Sequence, residues 1–219
     1  MNTRYFNNLL ILAFVGADGF TQELPVVVGQ TYPQLFPSNY QRVVNVLEAI
    51  PYKITITILP DKRALVAANS GDYALLLHRQ PSITKIYKDL VKLEIKVNEL
   101  TLHMVTAKET KYLCSMPEKS LYSLTVVGVI GNQFFEDLVY PKFTQYFDAQ
   151  NAESAIQMIV RGRAQISYGL PHYIPKHLLE KMVFCPDHKL TLSFYNFLHK
   201  DYIWAKDTLE MAYQKSFRK

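Results

Sequence analysis

Apolar and polar positions in the first half of the chain alternate between strand-like and helix-like patterns. Short β-branched apolar runs predict strands at residues 24–29, 52–59, 73–77 and 100–107. Amphipathic segments between the first three runs predict two helices. Ser38 caps the first, and Asp61 caps the second, which ends at Gly71. Because strands alternate with helices, we expect parallel strands that are covered by helices.

The same alternation begins again in the second half of the chain. Apolar runs predict strands at residues 124–130, 164–168 and 191–198, with a short aromatic segment at 143–147. Asn151 is predicted to cap a helix that Gly162 closes, and another helix after Asn132 is interrupted near Pro141. A terminal amphipathic helix follows. We therefore predict two α/β lobes, over 23–104 and 105–190, with a ligand cleft where the strand ends meet.

Composition and charge fit a globular protein without a nucleic-acid partner. The 219 residues are 49% hydrophobic and 20% charged, and the formal net charge is +5. Lys and Arg are spread along the chain and interrupted by Asp and Glu, which favours a solvated basic surface over a nucleic-acid-binding stripe. No cofactor motif appears, and the six histidines show no metal-ligand spacing with cysteine or carboxylate.

The N-terminus predicts export. Arg4 precedes a short apolar run at 9–15, and small residues lead to Ala17, which is the pattern of a signal peptide over residues 1–17. A core strand near the start is the alternative interpretation. The run is too short to span a bilayer, which takes about 20 apolar residues. In an exported protein, Cys114 and Cys185 either form a disulfide or remain two separate buried thiols.

Three segments resemble one known family. They read PDKRALVAANSGDYALLLHR at 60–79, LTVVGVIGN at 124–132 and NAESAIQMIVRGRAQIS at 151–167. In this order they resemble the bacterial extracellular solute-binding proteins of family 3, which are type II periplasmic binding proteins, many of them serving amino-acid ABC transporters. The resemblance implies a two-lobed α/β fold with two crossing strands. It also implies that the final helices return to the first lobe, so that lobe 1 comprises 23–104 plus 191–219.

The resemblance also implies a function and its partners. We expect a periplasmic binding protein that captures a small polar, carboxylate-bearing ligand, acts as a monomer without a cofactor, and delivers the ligand to an ABC permease or a sensor kinase. A dehydratase-like enzyme of the same fold is one alternative, with His78 and His172 as its candidate acids or bases. An interaction module that has lost its ligand is another.

Candidate ligand-binding residues of the first lobe follow its strands. Arg79 stands where the resemblance implies an arginine that clamps a ligand carboxylate, a task that suits the planar guanidinium. Tyr32 stands where the family places an aromatic residue that stacks on the ligand, and Phe36 is a weaker candidate. Arg63 lies in the first turn of a predicted helix, where a cation is unfavourable unless it reaches solvent or a cleft.

Candidate residues of the second lobe are neutral. Asn132 and Gln133 follow Gly131 at a predicted helix start, where backbone N–H groups can hold an anion. Tyr168 and His172 offer polar groups after a strand. Gln165 stands where amino-acid binders of the family frequently carry an Asp, and a buried ammonium without a partner is costly. We therefore expect an anionic or neutral ligand rather than a standard α-amino acid.

Overall fold

The computed structural model of the chain describes residues 22–130, 132, 134–171 and 174–217. The predicted signal peptide, residues 1–17, lies outside them. The described residues form a mixed α/β fold with one eight-stranded sheet. Its strands are β1 (Glu23–Gly29), β2 (Lys53–Leu59), β3 (Leu75–Arg79), β4 (Leu90–Ala107), β5 (Thr125–Val129), β6 (Gln145–Ala149), β7 (Ile166–Gly169) and β8 (Met182–His199).

Helices cover the sheet and connect its strands. They are α1 (Thr31–Leu35), α2 (Pro37–Glu48), α3 (Asp61–Asn69), α4 (Glu118–Leu121), α5 (Ala152–Val160), α6 (Lys176–Leu179) and α7 (Lys206–Phe217). A π-helical turn at Phe135–Val139 runs into a 3-10 turn that contains Pro141, so the predicted interruption is confirmed. None of the helices in the described ranges has the length and apolar character needed to cross a membrane.

The sheet contains two parallel three-stranded units of the same connectivity. Its order is β2-β1-β3-β8-β4-β7-β5-β6. Strand β1 pairs in parallel with β2 and β3, and β5 pairs in parallel with β6 and β7. Between the units, the 18-residue strands β4 and β8 pair antiparallel. The carboxyl ends of β1 and β3 in one unit, and of β5 and β7 in the other, therefore form the edges at which α/β sheets bind ligands.

Strands β4 and β8 are each about twice as long as predicted. The patterns indicated only residues 100–107 and 191–198, whereas the strands begin at Leu90 and Met182. In the added part of β4, Leu93 and Val97 are buried, while Glu94 and Lys96 are exposed. The alternation of apolar and polar residues is present there, but charged residues interrupt the apolar run, because one face of the strand is exposed to solvent.

Two of the predicted helix caps differ in the structure, and one is confirmed. Helix α2 begins at Pro37 with Phe36 at its N-cap, so Ser38 already lies inside the helix. Proline suits the first helical position because the N–H that it lacks has no helical partner there. Asp61 is the first residue of α3 and not its cap, and its carboxylate makes a tertiary contact described below. Asn151 caps α5 by accepting from the Ser154 amide, as predicted.

The buried apolar residues group on each side of each half of the sheet. Two clusters draw their buried members from residues 24–97 and 197–213, and include Leu209 and Tyr213 of α7. Two others draw theirs from residues 102–192. The C-terminal helix thus packs on the first half. A disulfide joins Cys114 to Cys185 on β8, so the sequence alternative of two separate thiols does not hold in the structure.

Candidate functional site

A cavity lies between the two halves of the sheet, at the carboxyl ends of the parallel strands. Its volume is about 810 Å³, which is in the range of small-molecule sites. The first half contributes the segments after β1, β2 and β3, and the second half contributes those after β5 and β7. Most of the lining side chains are apolar. Leu35 and Phe36 line one wall, and Ile130, Leu170 and Ile174 line the opposite one.

Arg79 lies in the cavity wall, but its guanidinium is already paired with a carboxylate of the chain itself. Its Nη2 donates to Asp61 Oδ1 at 2.9 Å and approaches the Asp61 carbonyl oxygen at 3.3 Å. The other carboxylate oxygen of Asp61 accepts from the Thr31 hydroxyl. The side chains of Arg79 and Asp61 are 14% and 37% exposed, so this ion pair is only partly screened by water.

The remaining donors of Arg79 are free or weakly used. Nε is buried and has no hydrogen-bond partner among the described residues, and Nη1 lies 3.5 Å from the His78 carbonyl oxygen. Burial lowers the pKa of the Arg79 guanidinium, and Asp61 partly offsets this shift. Gly29 lies beneath the pair, because an added Cβ would stand 2.0 Å from Asp61 Oδ1 and 2.2 Å from Arg79 Nη2. The absence of a side chain at the end of β1 therefore makes room for the pair.

His78 precedes Arg79 and adopts a left-handed backbone, with a φ of 56°. Its amide donates to Asn196 Oδ1 at 2.9 Å, at an irregularity in the pairing of β3 with β8. The ring stacks between Tyr32, at 3.8 Å, and Phe194, at 4.1 Å, both nearly parallel to it. Such a backbone is costly for a residue with a Cβ, and these contacts hold it in place.

The environment of His78 keeps its imidazole neutral. Burial, followed by the charge of Arg79, lowers its pKa to about 3. Both ring faces are covered, and Nε2 lies 3.0 Å from Asn98 Nδ2. A general acid or base works best with a pKa near the operating pH. The stacking on both ring faces and the low pKa favour a packing role for His78 over one in acid–base chemistry.

This arrangement predicts a pH dependence of stability. Between pH 7 and pH 5, we expect His78 to lower the free energy of unfolding by about 2 kcal/mol, because the unfolded imidazole (pKa ~6.5) takes up a proton that the folded one, with a pKa of about 3, does not. The loss grows as pH falls below the unfolded pKa and is complete below the folded one. Urea unfolding of the wild type and of His78→Asn at both pH values measures it. An equal pH dependence in the two proteins would contradict this assignment.

The other candidate residues of the first lobe differ in whether they line the cavity. Tyr32 lines the cavity, but its ring stacks on His78 and its hydroxyl donates to Asn39 Oδ1 at 2.6 Å, so much of its surface is used in packing. Phe36 also lines the cavity. Arg63 is exposed on α3 and does not line it, because its side chain turns to solvent there. Its neighbour Lys62 is the lysine that reaches the wall.

The second-half candidates are only partly described. Asn132 lines the cavity, and its side chain accepts from the Phe134 amide, 3.2 Å away. Tyr168 lines the cavity too, and burial, followed by the charge of Glu118, raises its pKa to about 12. Gln133 and His172 lie outside the described residues, as do Gly131 and Tyr173.

Gln165 lies at the amino end of β7, away from the cavity. Its side chain accepts from the Thr125 amide at 2.7 Å. Glu136 of the π-helical turn lines the cavity, so the second half places a carboxylate at the cavity wall although position 165 is a glutamine. The expectation of a ligand other than a standard α-amino acid stays a prediction. Within the described ranges, no three His, Cys, Asp or Glu side chains come together as a metal site.

The fold is that of the two-lobed periplasmic binding proteins. Three of the solved structures that share it are similar to nearly the whole chain. They are the probable amino-acid ABC transporter extracellular-binding protein ytmK from Bacillus subtilis (15% identity, 89% of this chain and 91% of that one, TM-score 0.63), the GluR0 ligand-binding core in complex with L-glutamate (11%, 91% and 94%, 0.65), and the Bordetella pertussis BvgS VFT2 domain, a double mutant (14%, 87% and 86%, 0.61). No family model matches the sequence, and no curated protein matches it.

Proposed function

We propose that this chain captures a small polar molecule in the cavity between its two halves and presents it to a membrane partner. The observation that carries the proposal is the cavity itself. A space of about 810 Å³ lies at the carboxyl ends of the parallel strands, is lined from both halves, and contains a buried guanidinium with unused donors.

The connection between the halves supports a binding cycle. In the part of the chain that the structure describes, β4 and β8 are the strands that run from one three-stranded unit to the other, and they pair along their length. Bending of such a pair changes the distance between the cavity walls, and closure around a ligand alters the outer surface that a partner meets. An ABC permease or a sensor kinase is the partner that we propose, and the chain acts as a monomer.

A periplasmic location fits the chemistry of the chain. The disulfide between Cys114 and Cys185 is typical of an oxidising compartment. Proteins of this fold include the extracellular-binding protein ytmK and the periplasmic domain of BvgS. The proposed signal peptide, residues 1–17, agrees with the same location.

The ligand offers an oxygen acceptor to Arg79. The sequence predicts a carboxylate for this role, and the free Nε and weakly used Nη1 of Arg79 support an oxygen at this corner of the cavity. The apolar walls favour a ligand with a hydrophobic body. With Glu136 in the opposite wall, a ligand that also carries an ammonium group is again a candidate, contrary to the expectation from Gln165.

Graded filling of the cavity tests the binding function. Gly169 lines the cavity, its φ is not left-handed, and an added Cβ would meet no atom within 4 Å. We expect Gly169→Ala to leave binding unchanged, whereas Gly169→Leu weakens it roughly tenfold and Gly169→Trp weakens it more, because the larger side chains take the space of the ligand.

The ligands for this test come from a thermal-shift screen of small molecules, and the hits are titrated by calorimetry. Unchanged melting temperatures in the three variants serve as the folding control. Hits that bind the tryptophan variant as tightly as the wild type would place their site outside the cavity. A folded wild type without any hit would favour the interaction-module alternative, and turnover of a hit would favour the enzyme.

A further inference from the structure

Asp61 determines what the Arg79 corner of the cavity can bind. An arginine that clamps a ligand carboxylate does so with two parallel N–H donors, one to each oxygen. In this chain, Nη2 of Arg79 is engaged by the Asp61 carboxylate and lies close to the Asp61 carbonyl oxygen. A guanidinium can bind both oxygens of a carboxylate through Nη1 and Nη2 or through Nε and Nη2, because the Cδ side blocks the remaining pair. Both of these pairs include Nη2. A ligand carboxylate therefore finds the fork already occupied.

The charges of Arg79 and Asp61 also disfavour a ligand carboxylate at this corner of the cavity. A ligand carboxylate that reached the free Nε would lie a few ångströms from the Asp61 carboxylate, in a wall where water screens charges weakly. The attraction of Arg79 and the repulsion of Asp61 would then largely cancel. A neutral oxygen meets the donor without this repulsion, because a carbonyl carries no net charge and needs only one N–H.

The Asp61 carboxylate is itself held in place. Its two oxygens accept from Arg79 and Thr31, and it belongs to the first turn of α3, where a negative charge is favourable. Gly29 leaves the room that the pair occupies. Displacement of Asp61 by a ligand carboxylate would therefore break its contacts with both Arg79 and Thr31 to form a single contact between the ligand and Arg79.

We propose that Asp61 is an internal counter-ion which makes the Arg79 corner select an uncharged oxygen acceptor, such as an amide or ketone carbonyl, over a carboxylate. This inference rests on the proposed function, because it concerns the same cavity. It replaces the carboxylate predicted for the ligand by a neutral carbonyl group attached to an apolar body.

Matched acid and amide probes test the proposal. 3-Phenylpropanoate and 3-phenylpropanamide have the same shape and differ in charge, and the phenyl group suits the apolar walls. We expect the wild type to bind the amide roughly tenfold tighter than the acid. In Asp61→Asn, we expect the affinity for the acid to rise at least about tenfold while the amide changes little, because Arg79 loses its counter-ion.

A control variant and a second substitution of Asp61 accompany this test. Asp72→Asn removes an exposed carboxylate that does not line the cavity and should alter neither affinity. Asp61→Ser should reproduce Asp61→Asn, and thermal unfolding reports whether both are folded. If both probes bind the wild type but not Gly169→Trp, the cavity is the ligand site. If Asp61→Asn then leaves the affinity for the acid unchanged, the role of Asp61 is overturned. No binding of either probe to the wild type or to Asp61→Asn would overturn the inference, and a screen without hits would separately overturn the binding function.

Discussion

Simultaneous replacement of Cys114 and Cys185 by alanine is expected to lower the free energy of unfolding by about 4 kcal/mol, because the disulfide closes a loop of 71 residues that the unfolded chain would otherwise leave open. Both cysteines pack in the same apolar cluster of the second half, and Cys185 is fully buried. Urea unfolding followed by circular dichroism gives the value. Alanine avoids placing a buried hydroxyl at position 185.

The reduced wild type provides the matched control for this prediction. In the presence of a reductant, it should unfold at nearly the same urea concentration as the double variant, and the reductant should not affect the variant. A wild type whose unfolding midpoint is insensitive to reductant and equal to that of the variant would contradict the stabilising role of the bridge.

Arg79→Ala is expected to weaken the binding of the cavity ligand by about 2 kcal/mol, or roughly thirtyfold, since a hydrogen bond from a charged donor contributes about 1.5–3 kcal/mol. The measurement is a calorimetric titration with the amide probe or with a hit of the thermal-shift screen. The variant also leaves the Asp61 carboxylate without its partner, so a modest loss of stability is expected too.

Arg63→Ala is the matched control for Arg79→Ala. It removes the same functional group from an exposed position that does not line the cavity, and the affinity should stay within about twofold of the wild type. Equal affinities of Arg79→Ala and the wild type would remove Arg79 from the site. Equal losses in the two variants would point to a general charge effect instead of a contact.

Local patterns in the sequence predicted most of the fold. Strands β1, β2, β3, β5 and β7, the helix ends at Gly71 and Gly162, and the Asn151 cap depend on neighbouring residues, and the structure has them close to where the patterns predict. Strand β6 was predicted only as a short aromatic segment at 143–147. The long strands β4 and β8 were shortened in the prediction because their exposed faces carry charges. Two-residue alternation survives there, but the apolar runs are broken.

The site was less predictable, because its contacts join distant parts of the chain. Asp61 at the start of α3 looked like a helix cap, and only the folded chain shows that it meets Arg79, 18 residues later. Likewise, Glu136 and Phe194 have ordinary sequence contexts, and their place in the cavity depends on how the two halves meet. An aspartate directly after Pro60 was the one available signal, and it is equally typical of helix starts.

We propose above that the cavity between the two halves holds a small molecule. Native mass spectrometry of the chain purified from its own cells, without refolding, tests this claim most directly. We expect a bound species with the mass of a small organic molecule, which is absent from the Gly169→Trp protein prepared in the same way. A wild-type protein that is fully folded but carries no adduct, and that no small molecule in the thermal-shift screen stabilises, would contradict it.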